Sequence, residues 1–167
     1  MTVHTTIDSP LGPLLLIGEQ TGDGFLLTSL SMSGQRSAPA VRETWSSDAE
    51  PFADVIGQLR EYFAGTRTEF ELSYAAAGSE FQRLVWDALD SIPYGTTTTY
   101  GALATQLGLP RDRVQALGAA IGANPLLIVR PCHRVVGADG SMRGYAGGVD
   151  RKQELLSLEG AIAPLLV

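Results

Sequence analysis

The segment Pro131-Cys132-His133-Arg134-Val135-Val136 holds the only cysteine of a 167-residue chain, next to one of its two histidines. A single thiol cannot close an intrachain disulfide. Without further Cys or clustered His it cannot build a thiolate metal site, which leaves an apolar core role or a nucleophile. The neighbours favour the nucleophile. Imidazole at His133 can accept the thiol proton, and the Arg134 guanidinium can favour thiolate.

The elements around this segment must place it. Ile128 and Val129 read as a buried strand leading into Pro131; a regular continuation would point Cys132 and His133 to opposite faces, so a break at the Pro-Cys peptide is needed for both to serve one cavity. Upstream, Ser79 with Gln82 three residues on is a capping-box pattern. It starts a helix with a buried stripe of Phe81, Leu84, Val85, Ala88, Leu89 and Ile92, ended by Pro93-Tyr94-Gly95. Helices over 99–107, closed by Gly108, and 110–123 follow. Leu103 and Leu107 on one, with Val114, Leu117 and Ile121 on the other, give a helix-turn-helix pattern. The second helix is dominated by the small residues Ala116, Gly118, Ala119, Ala120, Gly122 and Ala123. That composition suits either close helix packing or entry into the narrow minor groove of DNA. Downstream, Asp150 with Gln153 can cap a last helix that ends at Glu159 and Gly160. A carboxylate at a helix C-terminus faces the unfavourable end of the macrodipole, so its placement needs another cause.

The first half is organised differently. Short β-like runs at 3–7, 14–17 and 25–30 are separated by turn residues. Phe52, Val55, Ile56, Leu59, Tyr62 and Phe63 recur at helical spacing between Pro51 and Gly65, and 70–75 is a further strand candidate. Residues 33–47 are polar, aperiodic and expected to form a mobile loop. Ala75-Ala76-Ala77-Gly78 reads as a linker, giving domains at 1–78 and 79–167, a division compatible with the chain length.

Charge follows the same division. The net charge of −6 argues at first sight against a phosphate-rich ligand. However, residues 1–78 hold 4 Lys+Arg against 10 Asp+Glu, whereas residues 79–167 hold 8 of each. Arg111, Arg113, Arg130, Arg134 and Arg143 outnumber Asp112 and Asp139 within 98–145, so a modest basic face with weak, salt-sensitive DNA affinity is allowed. No apolar run reaches membrane-span length and the start lacks signal-peptide character, so a cytoplasmic location without membrane association is expected.

Taken in order, IPYGTTTTYGALA (92–104), NPLLIVRPCHRVVGADGSMRGYAGG (124–148) and LLSLEG (155–160) resemble the O6-alkylguanine-DNA alkyltransferases, over residues 79–160. The resemblance implies an α/β, ribonuclease H-like N-terminal domain and a helical, winged-helix-like C-terminal domain carrying the helix-turn-helix. It implies DNA repair by a one-turnover S-methyltransferase, in which Cys132 takes the alkyl group from O6-alkylguanine, and also from O4-alkylthymine. His133 would relay the thiol proton through a water, and Glu159 would orient His133. Tyr100 would assist base flipping and hydrogen-bond the base, Asn124 would tie the active-site turn to the helix-turn-helix, and Val135, Tyr145, Ala146 and Gly147 would bind the substrate. Arg143 to Gly148 would flank the pocket. Arg111, Arg113, Gln115, Ala116, Gly118 and Ala119 would meet double-stranded DNA through its minor groove, largely without sequence preference, in a monomer without cofactor. Relatives with structural zinc have Cys and His ligands where this first half has only His4, so no metal is expected. Two departures stand out: Gln115 occupies the place of an arginine that fills the gap left by the flipped base, and Ala146 the place of a serine in some relatives. A non-catalytic lesion sensor and a Cys-His-Glu thiol hydrolase are the alternatives; repeated turnover would mark the hydrolase.

Overall fold

The structure is a computed structural model that describes residues 1–162. The chain divides into two compact units, Met1–Ala77 and Gly78–Val167, and residues 163–167 of the expected C-terminal domain lie outside the described residues.

The first unit is built on a four-stranded sheet in the order β3-β2-β1-β4: β1 (Thr2–Ile7), β2 (Leu14–Thr21), β3 (Gly24–Met32) and β4 (Ser46–Ser47). The first three form an antiparallel meander. Their inward residues, Val3, Leu14, Leu16, Leu30 and Met32, are almost fully buried, as expected for side chains that alternate between two faces. β4 lies in the segment expected to be loop throughout. It pairs parallel with β1 over Val3↔Ser46 and His4↔Ser47, too short a run to show a period. A 3₁₀ turn, Glu50–Phe52, leads into α1 (Ala53–Phe63), whose buried face is Val55, Leu59 and Tyr62. Phe52 meets Phe25 of β3 edge-on at 4.9 Å between ring centroids. Each such large apolar side chain contributes about 1.5–3 kcal/mol by leaving water. The strand expected over 70–75 is reduced to one bridge, Tyr74 with Leu27.

The second unit opens with α2 (Glu80–Leu89), and both halves of the Ser79–Gln82 capping box are formed, at 3.1 and 3.0 Å. Its buried residues are Val85, Trp86, Ala88 and Leu89. Leu84, expected inside, is 48% exposed. The buried arc is centred instead on Trp86, whose Nε1 donates to the Ala120 carbonyl at 2.9 Å and so ties α2 to α4. Gly78 is required there, because a Cβ would lie 2.6 Å from the indole ring. β5 (Thr98–Thr99) runs directly into α3 (Tyr100–Gln106), capped by Thr99 Oγ1, which accepts from the Ala102 N–H at 3.0 Å. The helix expected from 110 begins later. Arg111–Arg113 form a 3₁₀ turn, and α4 covers Val114–Gly122. No side chain caps either start, and a tightened first turn is a common way to begin such a helix. After β6 (Val135–Val136), α5 (Val149–Leu158) is preceded by Gly148 at φ 99°, a conformation suited to glycine. Asp150 is therefore not the cap. It sits in the first turn, where its charge complements the helix dipole.

Candidate active site

Two short strands bring the chemistry together. β5 pairs parallel with β6 through Thr98↔Val135 and Thr99↔Val136. Tyr100 immediately follows β5, and the 3₁₀ turn Cys132–Arg134 immediately precedes β6, so residues far apart in sequence reach one pocket. The approach to Cys132 is not the expected strand. Ile128 has φ 70°, and the Arg130 N–H donates to the Leu126 carbonyl at 3.0 Å, closing a turn. A β-branched residue at positive φ is a genuine outlier, which no local sequence pattern announces. Asn124, at the end of α4 and 2% exposed, holds this turn. Its Nδ2 donates to the carbonyls of Leu126 (3.3 Å) and Arg130 (3.1 Å), and its Oδ1 accepts from the Leu126 N–H (3.0 Å).

Cys132 lines a cavity of about 190 Å³ with Tyr100, Gly118, Ile121, Gly122, Gly144, Tyr145 and Ala146. Burial pushes its thiol up to about 11, against the opposing pull of Asn124, Lys152 and Arg130. This corrects two expectations: the resting thiol is protonated at neutral pH, and the cations favouring thiolate are Lys152 and Arg130 rather than Arg134. Arg134 is committed elsewhere. Its Nε and Nη2 donate to Glu159 at 2.8 and 3.0 Å, and its Nη1 donates to the Ile92 carbonyl at 2.6 Å.

His133 and Glu159 are brought into contact, with Nε2 and Oε2 2.7 Å apart and both side chains wholly buried. This answers the question raised by a carboxylate at a helix C-terminus: Glu159 is held by Arg134 and His133. Burial lowers the His133 pKa despite Glu159, so the ring is neutral. With Nε2–H donating to the carboxylate, Nδ1 carries the basic lone pair. That nitrogen is buried without a protein partner. Because the folded state disfavours the imidazolium, the unfolded chain binds more protons below the ordinary histidine pKa, and stability should fall as pH drops through about 6.5. The loss from this one group is at most about 1.4 kcal/mol per pH unit. Chemical denaturation at successive pH values checks it: His133→Gln should show a shallower decline than wild type, and equal slopes would contradict the neutral assignment.

The remaining expected residues are distributed as follows. Tyr145 and Ala146 line the cavity, whereas Gly147 and Val135 are buried beside it in sequence without lining it. Burial raises Tyr100, so its hydroxyl stays protonated and able to donate. On α4, Gly118 lines the cavity, Ala116 is half-buried and Ala119 is exposed. A Cβ at Gly118 or Gly122 would meet nothing within 4 Å, so these glycines are not demanded by helix packing and leave the cavity mouth open. Arg111, Arg113 and Gln115 are exposed, and the Arg113 guanidinium lies over the Phe81 ring at 4.7 Å.

Lys152 escaped the sequence reading, and two residues were read in other roles. Arg130, counted with Arg134 toward an exposed basic face, is buried like Arg134 (6% and 7% exposed), and Ile121 was placed only in the helix interface. Lys152 is 1% exposed and donates through Nζ to three carbonyls. Arg130 pairs with Asp90 at 3.3 Å and lies over Trp86 at 5.3 Å. Ile121 forms part of the cavity wall. Lys152 and Arg130 carry no local signature, since a lysine or arginine is ordinarily solvated.

Among the described residues no group of three or more His, Cys, Asp or Glu side chains is placed to hold a metal ion, and no helix is long and apolar enough to cross a membrane.

This geometry can be set beside known proteins. Residues 2–75 match the family model for the ribonuclease-like domain of 6-O-methylguanine DNA methyltransferase, and residues 80–161 that for its DNA binding domain. A methylated-DNA–protein-cysteine methyltransferase of Mycolicibacterium paratuberculosis is 48% identical, covering 98% of this chain and 96% of the relative. One from Methanosarcina acetivorans is 41% identical over 95% and 98%. The crystal structure of Mycobacterium tuberculosis OGT in complex with DNA superposes with a TM-score of 0.84 at 46% identity, covering 97% of this chain and 95% of that one. Family models matching both units, and relatives aligned over nearly their whole length, agree with a buried cysteine beside a His-Glu pair: the chain belongs to the 6-O-methylguanine DNA methyltransferase family.

Proposed function

We propose that the protein repairs O6-alkylguanine in double-stranded DNA by transferring the alkyl group to Cys132, once per molecule. The observation that carries this reading is the 2.7 Å contact between His133 and Glu159 next in sequence to the lone cysteine of an otherwise largely apolar cavity. In the reaction the sulfur attacks the alkyl carbon, the S–C bond forms and the C–O6 bond breaks. The thiol proton passes by way of a water to His133 Nδ1, with Glu159 stabilising the resulting imidazolium. Tyr100 donates a hydrogen bond to the base as negative charge develops on the departing guanine. Attack at an sp³ carbon needs no oxyanion hole, and the thioether product is not hydrolysed, so the protein is consumed. One repair per molecule with O6-methylguanine duplex in excess is the expected stoichiometry; sustained turnover would favour the thiol hydrolase. A smaller O4-alkylthymine fits the same chemistry.

The helix-turn-helix is α3 and α4, with α4 entering the minor groove as part of a winged-helix-like unit. The open, small-residue surface of α4 at Gly118, Ala119 and Gly122 supports this, because a helix without bulk can approach the floor of a narrow groove where base identity is weakly read. The target base swings into the Cys132 cavity, walled by Tyr145 and Ala146. The protein acts as a monomer and needs no cofactor. Retention of a reactive thiol fits a reducing, cytoplasmic compartment.

Gln115, exposed on the first turn of α4, bears on how the vacated stack is filled. Glutamine offers neutral hydrogen bonds, whereas arginine adds charge and a planar surface. Gln115→Arg should therefore accelerate repair of duplex DNA, roughly threefold to tenfold if base flipping limits the rate. Reaction with the free base O6-benzylguanine should change little, since a free base needs no extrusion. Arg111 or Arg113, the latter exposed and resting over the Phe81 ring, is the alternative occupant of the gap. On that view Arg111→Ala or Arg113→Ala slows duplex repair selectively while Gln115→Arg changes nothing. Equal duplex rates for wild type and all three variants would show that this end of the helix does not control flipping.

A further inference from the structure

The backbone that delivers Cys132 is bent twice within six residues, and Arg130 sits between the two bends. On one side the Val129 N–H donates to the Leu127 carbonyl at 2.8 Å across Ile128 at φ 70°. This is the rare, strained form of the γ-turn, and a β-branched residue makes it costlier still. On the other side the Cys132 N–H donates to the Arg130 carbonyl at 2.8 Å across Pro131 at φ −81° and ψ 59°, which is the relaxed inverse form. Strained backbone persists only where its surroundings over-determine it. Asn124 supplies part of that constraint by bonding the Leu126 and Arg130 carbonyls, which ties the turn to the end of α4. The Arg130 side chain ties it to α2. Its Nε donates to Asp90 Oδ1 at 3.3 Å, and its guanidinium lies over the Trp86 ring at 5.3 Å. Asp90 is the C-terminal cap of α2 and Trp86 lies four residues earlier, so one face of the helix end offers both a carboxylate and an aromatic surface. Trp86 also donates to the Ala120 carbonyl of α4, the residue before Ile121 of the cavity wall.

We propose that Arg130 is a positioning residue for alkyl transfer: the Trp86–Asp90 end of α2 grips its side chain and thereby fixes the double turn that presents Cys132 to the cavity. Displacement at an sp³ carbon requires the sulfur, the carbon and the departing oxygen to lie in line, and a misplacement of about 1 Å can cost about a hundredfold in rate. The grip therefore matters to the rate. Arg130 lies outside the cavity lining and acts through the turn, because its own carbonyl holds the Cys132 N–H and any rotation of the intervening peptides is passed to the cysteine. Trp86 gives the grip a second consequence. The indole that supports Arg130 also holds α4, whose Gly118, Ile121 and Gly122 form the wall beside the thiol, so one side chain sets the spacing between acceptor and wall. An anchor differs from a through-space charge in one testable respect. A charge keeps its effect when Asp90 is neutralised, whereas an anchor is loosened.

The proposal rests on the reading of Cys132 as the alkyl acceptor. Three full-length variants separate anchor from charge. Arg130→Met keeps a long side chain over the indole without donors or charge, Asp90→Asn keeps an acceptor oxygen and the arginine charge while weakening the tie, and a double variant combines them. Single-turnover methyl transfer is measured against the concentration of O6-methylguanine duplex, which splits the maximal rate from half-saturation, and peptide mass locates the adduct. Amide hydrogen exchange at Val129 and Cys132 is followed by NMR, with circular dichroism and thermal melting to confirm folding. The maximal rate should fall about tenfold in Arg130→Met and about threefold in Asp90→Asn, with half-saturation within about twofold of wild type. The double variant should be no slower than Arg130→Met, because Asp90 acts through Arg130. Both amides should exchange faster in the same order, while those of α1 in the first unit keep their wild-type rates. A folded Arg130→Met with wild-type maximal rate, or with wild-type exchange at these two amides, overturns the proposal. So does an Asp90→Asn that matches or outpaces wild type, which would make Arg130 a charge rather than an anchor, or a double variant slowed by the product of the single effects. Repair by wild type without a methyl group on Cys132 would instead overturn the acceptor assignment, whatever the exchange rates show.

Discussion

Cys132→Ala should abolish methyl transfer from O6-methylguanine DNA while leaving duplex affinity within about twofold of wild type. The two halves of this expectation have separate causes. In the proposed reaction the sulfur is the atom that becomes bonded to the methyl group, and the chain has no other cysteine to replace it, so the expected loss is of the acceptor itself rather than of a rate factor. Affinity for a duplex depends mainly on cations and groove contacts outside the cavity. Cys132 is 4% exposed and faces an interior pocket, so its removal subtracts little from that surface. Deleting one sulfur from a core site also leaves the fold in place, a small cavity in a well-packed protein costing only a few kcal/mol. Electrophoretic or fluorescence titration beside a repair assay separates the two effects. Transfer that survives the substitution would remove Cys132 from the mechanism.

A second large effect is expected at Glu159, through stability as well as chemistry. Glu159 holds two buried cationic or protonatable side chains: Arg134, donating from two nitrogens, and His133. Removing one partner of a buried pair strands the other, at about 3–5 kcal/mol. Glu159→Ala should therefore lower the melting temperature by roughly 10 °C. Glu159→Gln preserves shape and one acceptor oxygen, and should be less damaging to the fold while still slowing thiol alkylation near neutral pH. Alkylation rates against pH for wild type and Glu159→Gln distinguish a relay from a scaffold. Coincident profiles would mean that Glu159 supports the fold without reaching the thiol through His133.

Which features could be read from the sequence follows from where their determinants lie. The Ser79–Gln82 cap was legible because its two side chains and two backbone groups all fall within one helical turn. The helix over 53–63 was legible because its apolar positions repeat within a single face. The Asp150 cap failed for the opposite reason: the same residue type is favourable in the first turn, and Gly148, two residues earlier, had the freedom to start the helix. Leu84 and Trp86 show how a neighbouring contact shifts a face, since the Ala120 carbonyl that accepts from the indole lies on another helix. Most of the site was of this long-range kind. Cys132 and His133 announced themselves as adjacent residues, but the proximity of Tyr100 depends on a two-residue parallel pairing that has no detectable period. The turn at Ile128 depends on Asn124, whose bonds override the strand preference of Ile128 and Val129. Arg134 was read as a promoter of thiolate from its position alone. In space it belongs to Glu159, and the charges nearest in effect to the thiol come from Lys152 and Arg130. The thiol itself was expected to ionise readily. Burial pushes it up instead, which is why the proposed reaction draws on proton transfer to His133 during attack rather than on a standing thiolate.

The most direct test is peptide mass spectrometry after incubation with one equivalent of O6-methylguanine duplex DNA. The protein should gain a single methyl group, carried on Cys132, in step with the appearance of unmodified guanine. Repaired DNA beside unmodified protein, or a methyl group on any other residue, would contradict the account.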